Sequence, residues 1–184
     1  MTTTREELLH ALRDAHAMES QAETMLKGQA SRIENYSQLR ARIERHDEET
    51  RGQRERVADC LELLGESSST LKDTGGKMLA MGQSLAGMVA DDEVLKGVIA
   101  SYAFEHMEIA SYRMLIAMAQ SAGEPEIQRI CERILPEEEA MASWLEQHMM
   151  DVTREFMARL DDAVPAGVHA GRGRTGDRDV QAKR

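Results

Sequence analysis

The sequence predicts an all-α protein, four long helices arranged as two antiparallel hairpins. Two observations carry that expectation. Apolar residues recur at helical spacing through four segments, and strand-forming residues cluster nowhere. Aromatic residues make up only 3% of the chain, methionine occurs 13 times, and proline and glycine gather in a few places.

Each element follows from its own signals. The first helix is expected over 3–28, where Thr3 or Thr4 precedes Glu6 and Glu7 in a capping-box pattern. The second is expected over 31–64 and stops at Gly65, a residue suited to the position after a helix C-terminus. The third is expected over 92–122, from a cap at Asp91 or Asp92 to Gly123. The fourth opens at Pro125, favoured in a first helical turn, and runs to 162. Short links join the first helix to the second and the third to the fourth, so each pair is a hairpin. Between the hairpins lies "GESSSTLKDTGGKMLAMGQSLAGMVAD", with an amphipathic stretch through Met78, Leu79, Leu85, Met88 and Val89. Mostly helical, it would cover roughly 30–40 Å, about the length of a bundle helix. Two hairpins joined by a long crossover with a short helix give a ferritin-like four-helix bundle, not a plain up-down one. Pro136 falls inside the fourth helix, removes a hydrogen bond to the Glu132 carbonyl and is expected to kink it.

The chain has 184 residues, which suits one domain over 1–162 and a Gly-, Arg- and Asp-rich tail over 163–184, expected to be disordered. Lys and Arg total 23 against 33 Asp and Glu, a net formal charge of -10. Residues 165–184 hold five basic and two acidic side chains, which leaves about -13 on the body. An acidic body argues against nucleic acid as the main partner, apart from weak contacts by the tail, and is compatible with binding cations. Cys60 and Cys131 show no metal-binding spacing. The N-terminal "MTTTREELLHALRD" has no apolar signal segment, and the longest uncharged run, 78–90, is too short to span a bilayer. The expectation is a cytoplasmic protein with no membrane partner.

Charge interrupts the apolar stripes near their middles. In heptads, the core face of the third helix includes Val98, Ser101, Glu105, Glu108, Ile109, Tyr112 and Leu115. Glu105 and Glu108 are neighbours on that face, about 5–6 Å apart at Cβ. The first stripe carries Glu19 between Leu12 and Leu26. The second carries His46, then Glu49 or Thr50, between Ile43 and Val57. The fourth carries Glu138 between Ile134 and Met141. Glu19 to Glu49 and Glu108 to Glu138 are both separations of 30 residues, so each hairpin has one acid on each arm at the same offset. If an approximate two-fold relates the hairpins, the four acids meet at one depth.

Four or five buried carboxylates cannot all ionise without counter-charge. Arg42 and Arg56 flank the second stripe but lie a turn or two away. Two divalent cations would supply the charge, and hard oxygen ligands favour iron or manganese. The candidate ligands are Glu19, Glu49, Glu105, Glu108 and Glu138, with His46 either a ligand or a hydrogen-bonded core residue. His16 is expected beside the ligands, His106 and His148 on the surface or in packing. Tyr102 and Tyr112 are placed to hydrogen-bond the carboxylates or simply to pack. The many methionines read as core filler or a dimer face.

Four blocks, "LRDAHAMESQAETML", "HDEETRGQRERVADCLELLG", "EHMEIASYRML" and "LPEEEAMASWL", resemble the motif blocks of the YciE/YciF-type ferritin-like stress proteins, over about residues 5–150. The second block is the most specific. The resemblance implies a ferritin-like bundle, a homodimer, and a di-iron site of the rubrerythrin and ferritin kind. By position, Glu19 and Glu49 match the acids of the first and second helices, Glu105 and Glu108 the acid pair of the third, and Glu138 that of the fourth. One departure stands out. The ferritin-like pattern places histidine three residues after glutamate on two helices. Here Gly52 follows Glu49 and Met141 follows Glu138 at that spacing, and histidine stands three residues earlier, as His46 before Glu49 and His16 before Glu19. The functional expectation is a metal-binding stress-response protein whose two Fe or Mn ions reduce O2 or peroxide while Fe(II) is oxidised. The alternative is a non-catalytic dimeric interaction or protective protein with no metal.

Overall fold

A computed structural model describes residues 2–66 and 94–163. The expected crossover helix, the Asp91/Asp92 cap and most of the tail lie outside the described residues. Four helices form the fold: α1 Thr4–Ala30, α2 Ser37–Leu63, α3 Val94–Ala122 and α4 Pro125–Ala163. No strand occurs among the described residues.

The helix ends follow from local chemistry. Thr3 caps α1: its side chain accepts from the Glu6 amide, and the Glu6 carboxylate accepts from the Thr3 amide at 2.7 Å. α2 and α3 both end in a glycine with positive φ, Gly65 at 89° and Gly123 at 72°. At each end the two amides that follow turn back on the last carbonyls: Gly65 N to Glu62 O and Glu66 N to Leu61 O, then Gly123 N to Gln120 O and Glu124 N to Ala119 O. α2 begins six residues later than expected. Ser31 caps α1, Ile33 tucks into the core, and Arg159 of α4 stacks on Tyr36 and donates to the Asn35 carbonyl, so 31–36 is held as a turn by tertiary contacts. α4 continues through Pro136 as one helix.

The helices pack as a closed square. α1 pairs with α2, α3 with α4, α1 with α3 and α2 with α4. Arg5 meets Glu124 and Gln29 meets Gly97, so α1 and α3 are antiparallel. His46 meets Glu138 while Arg159 reaches Asn35, so α2 and α4 are antiparallel too. α2 and α3 therefore run parallel on a diagonal, and the chain passes from one end of the bundle to the other between Glu66 and Val94. That is the ferritin-like topology.

The core is split. One apolar cluster holds Leu8, Leu12, Val57, Leu61, Tyr112, Leu115 and Ile134 among others. A second holds Leu26, Ile43, Val98, Met141 and Leu145. On every helix a buried polar residue stands between the two: Glu19 on α1, His46 on α2, Glu105 and Glu108 on α3, Glu138 on α4. The fold brings the interrupted stripes into one layer.

Two glycines give opposite expectations. Gly52 lies mid-α2 with open space where a Cβ would stand, so Gly52→Ala should raise the unfolding free energy by roughly 0.5–1 kcal/mol. Gly123 has equal space but positive φ, so Gly123→Ala should lower it by about 1–2 kcal/mol. Urea denaturation of both variants measures the pair.

Candidate metal centre

Residues recurring every three or four positions turn His46 inward: Ile43, His46, Thr50, Gln53 and Val57 are all buried on α2. The same periodicity turns Glu105 and Glu108 inward on α3, and Glu138 on α4. Each of the four residues offers one ligand atom, and those atoms all lie within 4.8 Å of one another. His46 Nε2 is 3.0 Å from Glu105 Oε2 and 3.4 Å from Glu138 Oε2.

Glu19 stands next to this group. It is fully buried, and its Oε1 accepts a hydrogen bond from the Tyr112 hydroxyl. Glu49 is placed differently. Its carboxylate faces Arg42 Nη1 and Arg45 Nε, each at 3.1 Å, and His46 Nδ1 at 2.9 Å. Its side chain is 22% exposed, whereas those of His46, Glu105 and Glu138 are at most 1% exposed. Of the six expected residues, four converge, Glu19 adjoins them, and Glu49 lies behind His46. With the ring neutral, an Nδ1–H donated to Glu49 leaves the Nε2 lone pair facing Glu105 and Glu138, the orientation a metal-binding histidine needs.

The other histidines lie elsewhere. His106 is exposed with its ring edge-on to Tyr102, and His148 stacks on Trp144. His16 is half-buried, and burial, then the Arg54 charge, lowers its pKa. Sequence reasoning missed a polar bridge at the end of the bundle. Gln29 donates to the Gly97 carbonyl and accepts from the Ser101 hydroxyl, both at 2.9 Å. Ser101 was visible as a polar break in an apolar stripe; Gln29 gave no signal. A second network flanks the site, where Gln53 and Arg56 both donate to Glu137, the neighbour of Glu138.

Charge is the dominant fact of the layer. Burial, then the charge of Glu138, pushes Glu19 well above the usual carboxylate range. Burial and the charges of Glu138, Glu19 and Glu105 do the same to Glu108. Burial lifts Glu138 to about 7 against the contact with His46, which lowers it. For His46, burial opposes protonation, but the Glu105 carboxylate and the contacts with Glu138 and Glu49 more than reverse it, so its pKa lies well above the ordinary value. Glu49, bonded to His46 and paired with Arg42, is held down at about 2.

The donor set fits a cation. Apart from the contacts of His46 Nε2 with Glu105 Oε2 and Glu138 Oε2, the buried atoms Glu19 Oε2, His46 Nε2, Glu105 Oε2, Glu108 Oε1 and both Glu138 oxygens have no partner. Such atoms are costly to leave unpaired, and all carry lone pairs that a metal ion accepts. Oxygen donors with one imidazole suit iron and manganese.

Comparison with known proteins agrees with the fold. Residues 3–158 match the family described as "Domain of unknown function (DUF892)". The chain belongs to this family. It is 29% identical over 152 residues to Protein YciF of Escherichia coli (strain K12), which covers 76% of this chain and 86% of that protein. The crystal structure of the E. coli stress protein YciF superposes with a TM-score of 0.71 at 26% identity, over 84% of this chain and 99% of that one. A protein of Xanthomonas campestris pv. campestris superposes at 0.73 with 46% identity, over 86% of this chain and 99% of that one. YcfI from Rhodopseudomonas palustris gives 0.63 and 31%, over 79% and 94%. The family is thus of the YciF type.

The buried groups fix how the metal-free protein responds to pH. Glu19, Glu108, Glu138 and His46 all have raised folded-state pKa values, so folding takes up protons and the stability they contribute is lost as pH rises. Glu49 acts oppositely, but only in the acid range between its value of about 2 and the usual carboxylate value. The melting temperature of metal-free protein should therefore fall steadily from about pH 5 to about pH 8, as measured by circular dichroism in chelated buffer.

Proposed function

We propose that the protein binds two divalent ions, iron or manganese, in the polar layer, and that with iron it oxidises Fe(II) while reducing O2 or peroxide, in a stress response. The observation that carries this reading is the convergence of His46, Glu105, Glu108 and Glu138, with Glu19 beside them, in a layer sealed by apolar clusters on both sides. Charge supports the count. Four ionised carboxylates, Glu19, Glu105, Glu108 and Glu138, balance two divalent ions with His46 neutral. Adjacent Fe(II) ions would supply the electrons that O2 or peroxide accepts. The residues' part is to bind and to exclude water: His46 through Nε2, the glutamates through oxygen, with Glu49 orienting the imidazole from behind. The role in stress is supported by likeness to a protein described as a stress protein. The reading extends to a homodimer, which rests on the family resemblance, and to a cytoplasmic location. No described helix is long and apolar enough to cross a membrane.

A second reading has an observation of its own. The raised pKa values let the layer neutralise itself with protons, and a protonated His46 lies within 3.4 Å of carboxylates on both α3 and α4. A metal-free interaction or protective protein could keep this core. The same observation sets the experiment. The wild-type chain, loaded with Fe(II) without oxygen and desalted, should retain close to two ions by elemental analysis. Glu138→Gln and His46→Ala should retain far less. Glu49→Gln should bind with affinity about tenfold or more lower, because the imidazole loses its support. Undiminished metal in Glu138→Gln and His46→Ala, or none in the wild type, decides for the second reading.

A further inference from the structure

The two hairpins contribute unequally to the polar layer. α3 and α4 supply three carboxylates, Glu105, Glu108 and Glu138, which converge with His46. The α1–α2 hairpin supplies that imidazole and one further acid, Glu19, which stays outside the convergent group although fully buried. Its other acids near this depth are engaged. Glu49 is held by Arg42, Arg45 and His46. Glu23 is held by Lys27 and Arg54. Glu19 instead keeps Oε2 buried without a hydrogen-bond partner inside the polar layer, while Oε1 accepts from the Tyr112 hydroxyl. Tyr112 is itself fully buried, one turn beyond Glu108 on α3.

We infer that the site fills in order: a first ion in the cluster of His46, Glu105, Glu108 and Glu138, then a more weakly held second ion on the α1 side, completed by Glu19 Oε2 with Tyr112 as its positioning residue. This inference rests on the metal-binding reading above. The first ion meets three carboxylates and an imidazole already gathered, so little rearrangement opposes it. The second meets a layer whose negative charge is partly neutralised and which holds a like charge nearby, so it binds less tightly. Its one remaining free carboxylate is Glu19. A planar carboxylate tied at one oxygen has its other oxygen aimed. The Tyr112 hydroxyl therefore fixes the direction of Oε2 and removes rotamers that would otherwise be lost on binding.

The test uses the full chain, stripped of metal and titrated with Mn(II) without oxygen, followed by calorimetry and electron paramagnetic resonance. In the wild type two ions should bind, the first more tightly. One equivalent should give the resolved spectrum of an isolated ion, and the second should broaden it as neighbouring ions couple. Glu19→Gln, which keeps the side chain's volume, should retain the first ion and lose the second. Tyr112→Phe, which keeps the ring, should leave the first ion's affinity unchanged and weaken the second about tenfold or more. Two ions of equal affinity in the wild type overturn the inference. So does loss of the first ion in Glu19→Gln, or equal weakening of both ions in Tyr112→Phe, the mark of a merely structural role. No Mn(II) bound to the wild type overturns the metal reading itself, whereas the other outcomes leave it standing. Should Glu19→Gln fail to fold, the Tyr112→Phe titration against wild type carries the test.

Discussion

Four carboxylates buried in one layer of an apolar bundle constrain everything else in this molecule. An uncompensated buried ion costs several kcal/mol even after the protein relaxes, and a whole domain is stable by only about 5–15 kcal/mol. Glu19, Glu105, Glu108 and Glu138 could not all be charged in this core without cations. Protons or metal must share the layer with them. The packing on either side makes the requirement strict, because the apolar clusters from Leu8 to Ile134 and from Leu26 to Leu145 flank carboxylates that are at most 1% exposed to bulk solvent. Apolar packing holds the bundle together, and counter-charge decides in which state the bundle exists.

The supporting contacts make sense under that constraint. The guanidinium groups nearest the layer are kept out of it. Arg42 and Arg45 bind Glu49 at its outer edge, and Arg56 binds Glu137 beside Glu138. Among the described residues, the converged carboxylates themselves form no ion pair with arginine or lysine. A buried arginine there would be a permanent counter-ion and would exclude a metal by charge. Placing the cations one residue outward leaves the layer's charge to be met by protons or by a divalent ion, while Glu49 contacts the imidazole of His46 from behind.

Much of this was legible in the chain. Helix ends at Thr3, Gly65, Gly123 and Pro125 depend on neighbouring residues alone, so local chemistry located them. The start of α2 depends on Ile33 and on Arg159 from the far end of α4, which no local pattern contains. Glu19, Glu105, Glu108 and Glu138 showed as breaks in apolar stripes and are all buried in the layer. Glu49 had the matching spacing, but one residue is about 100° of rotation on a helix. Equal spacing fixes depth and not azimuth. Thr50 takes the inward direction one residue on, and Arg42 and Arg45 draw Glu49 outward. For the same reason His46, three residues earlier, replaces it. The hydrogen bond from Tyr112 to Glu19 was one of two roles open to that tyrosine; only the packing of α1 on α3 selects it.

The polar layer should hold metal. Anomalous diffraction at the iron absorption edge, on crystals soaked in Fe(II) without oxygen, tests it most directly. An anomalous peak is expected inside the bundle, within bonding distance of His46 Nε2 and of oxygens from Glu105, Glu108 and Glu138. A saturating soak that leaves the layer without a peak, or that puts iron only at surface carboxylates, would contradict it.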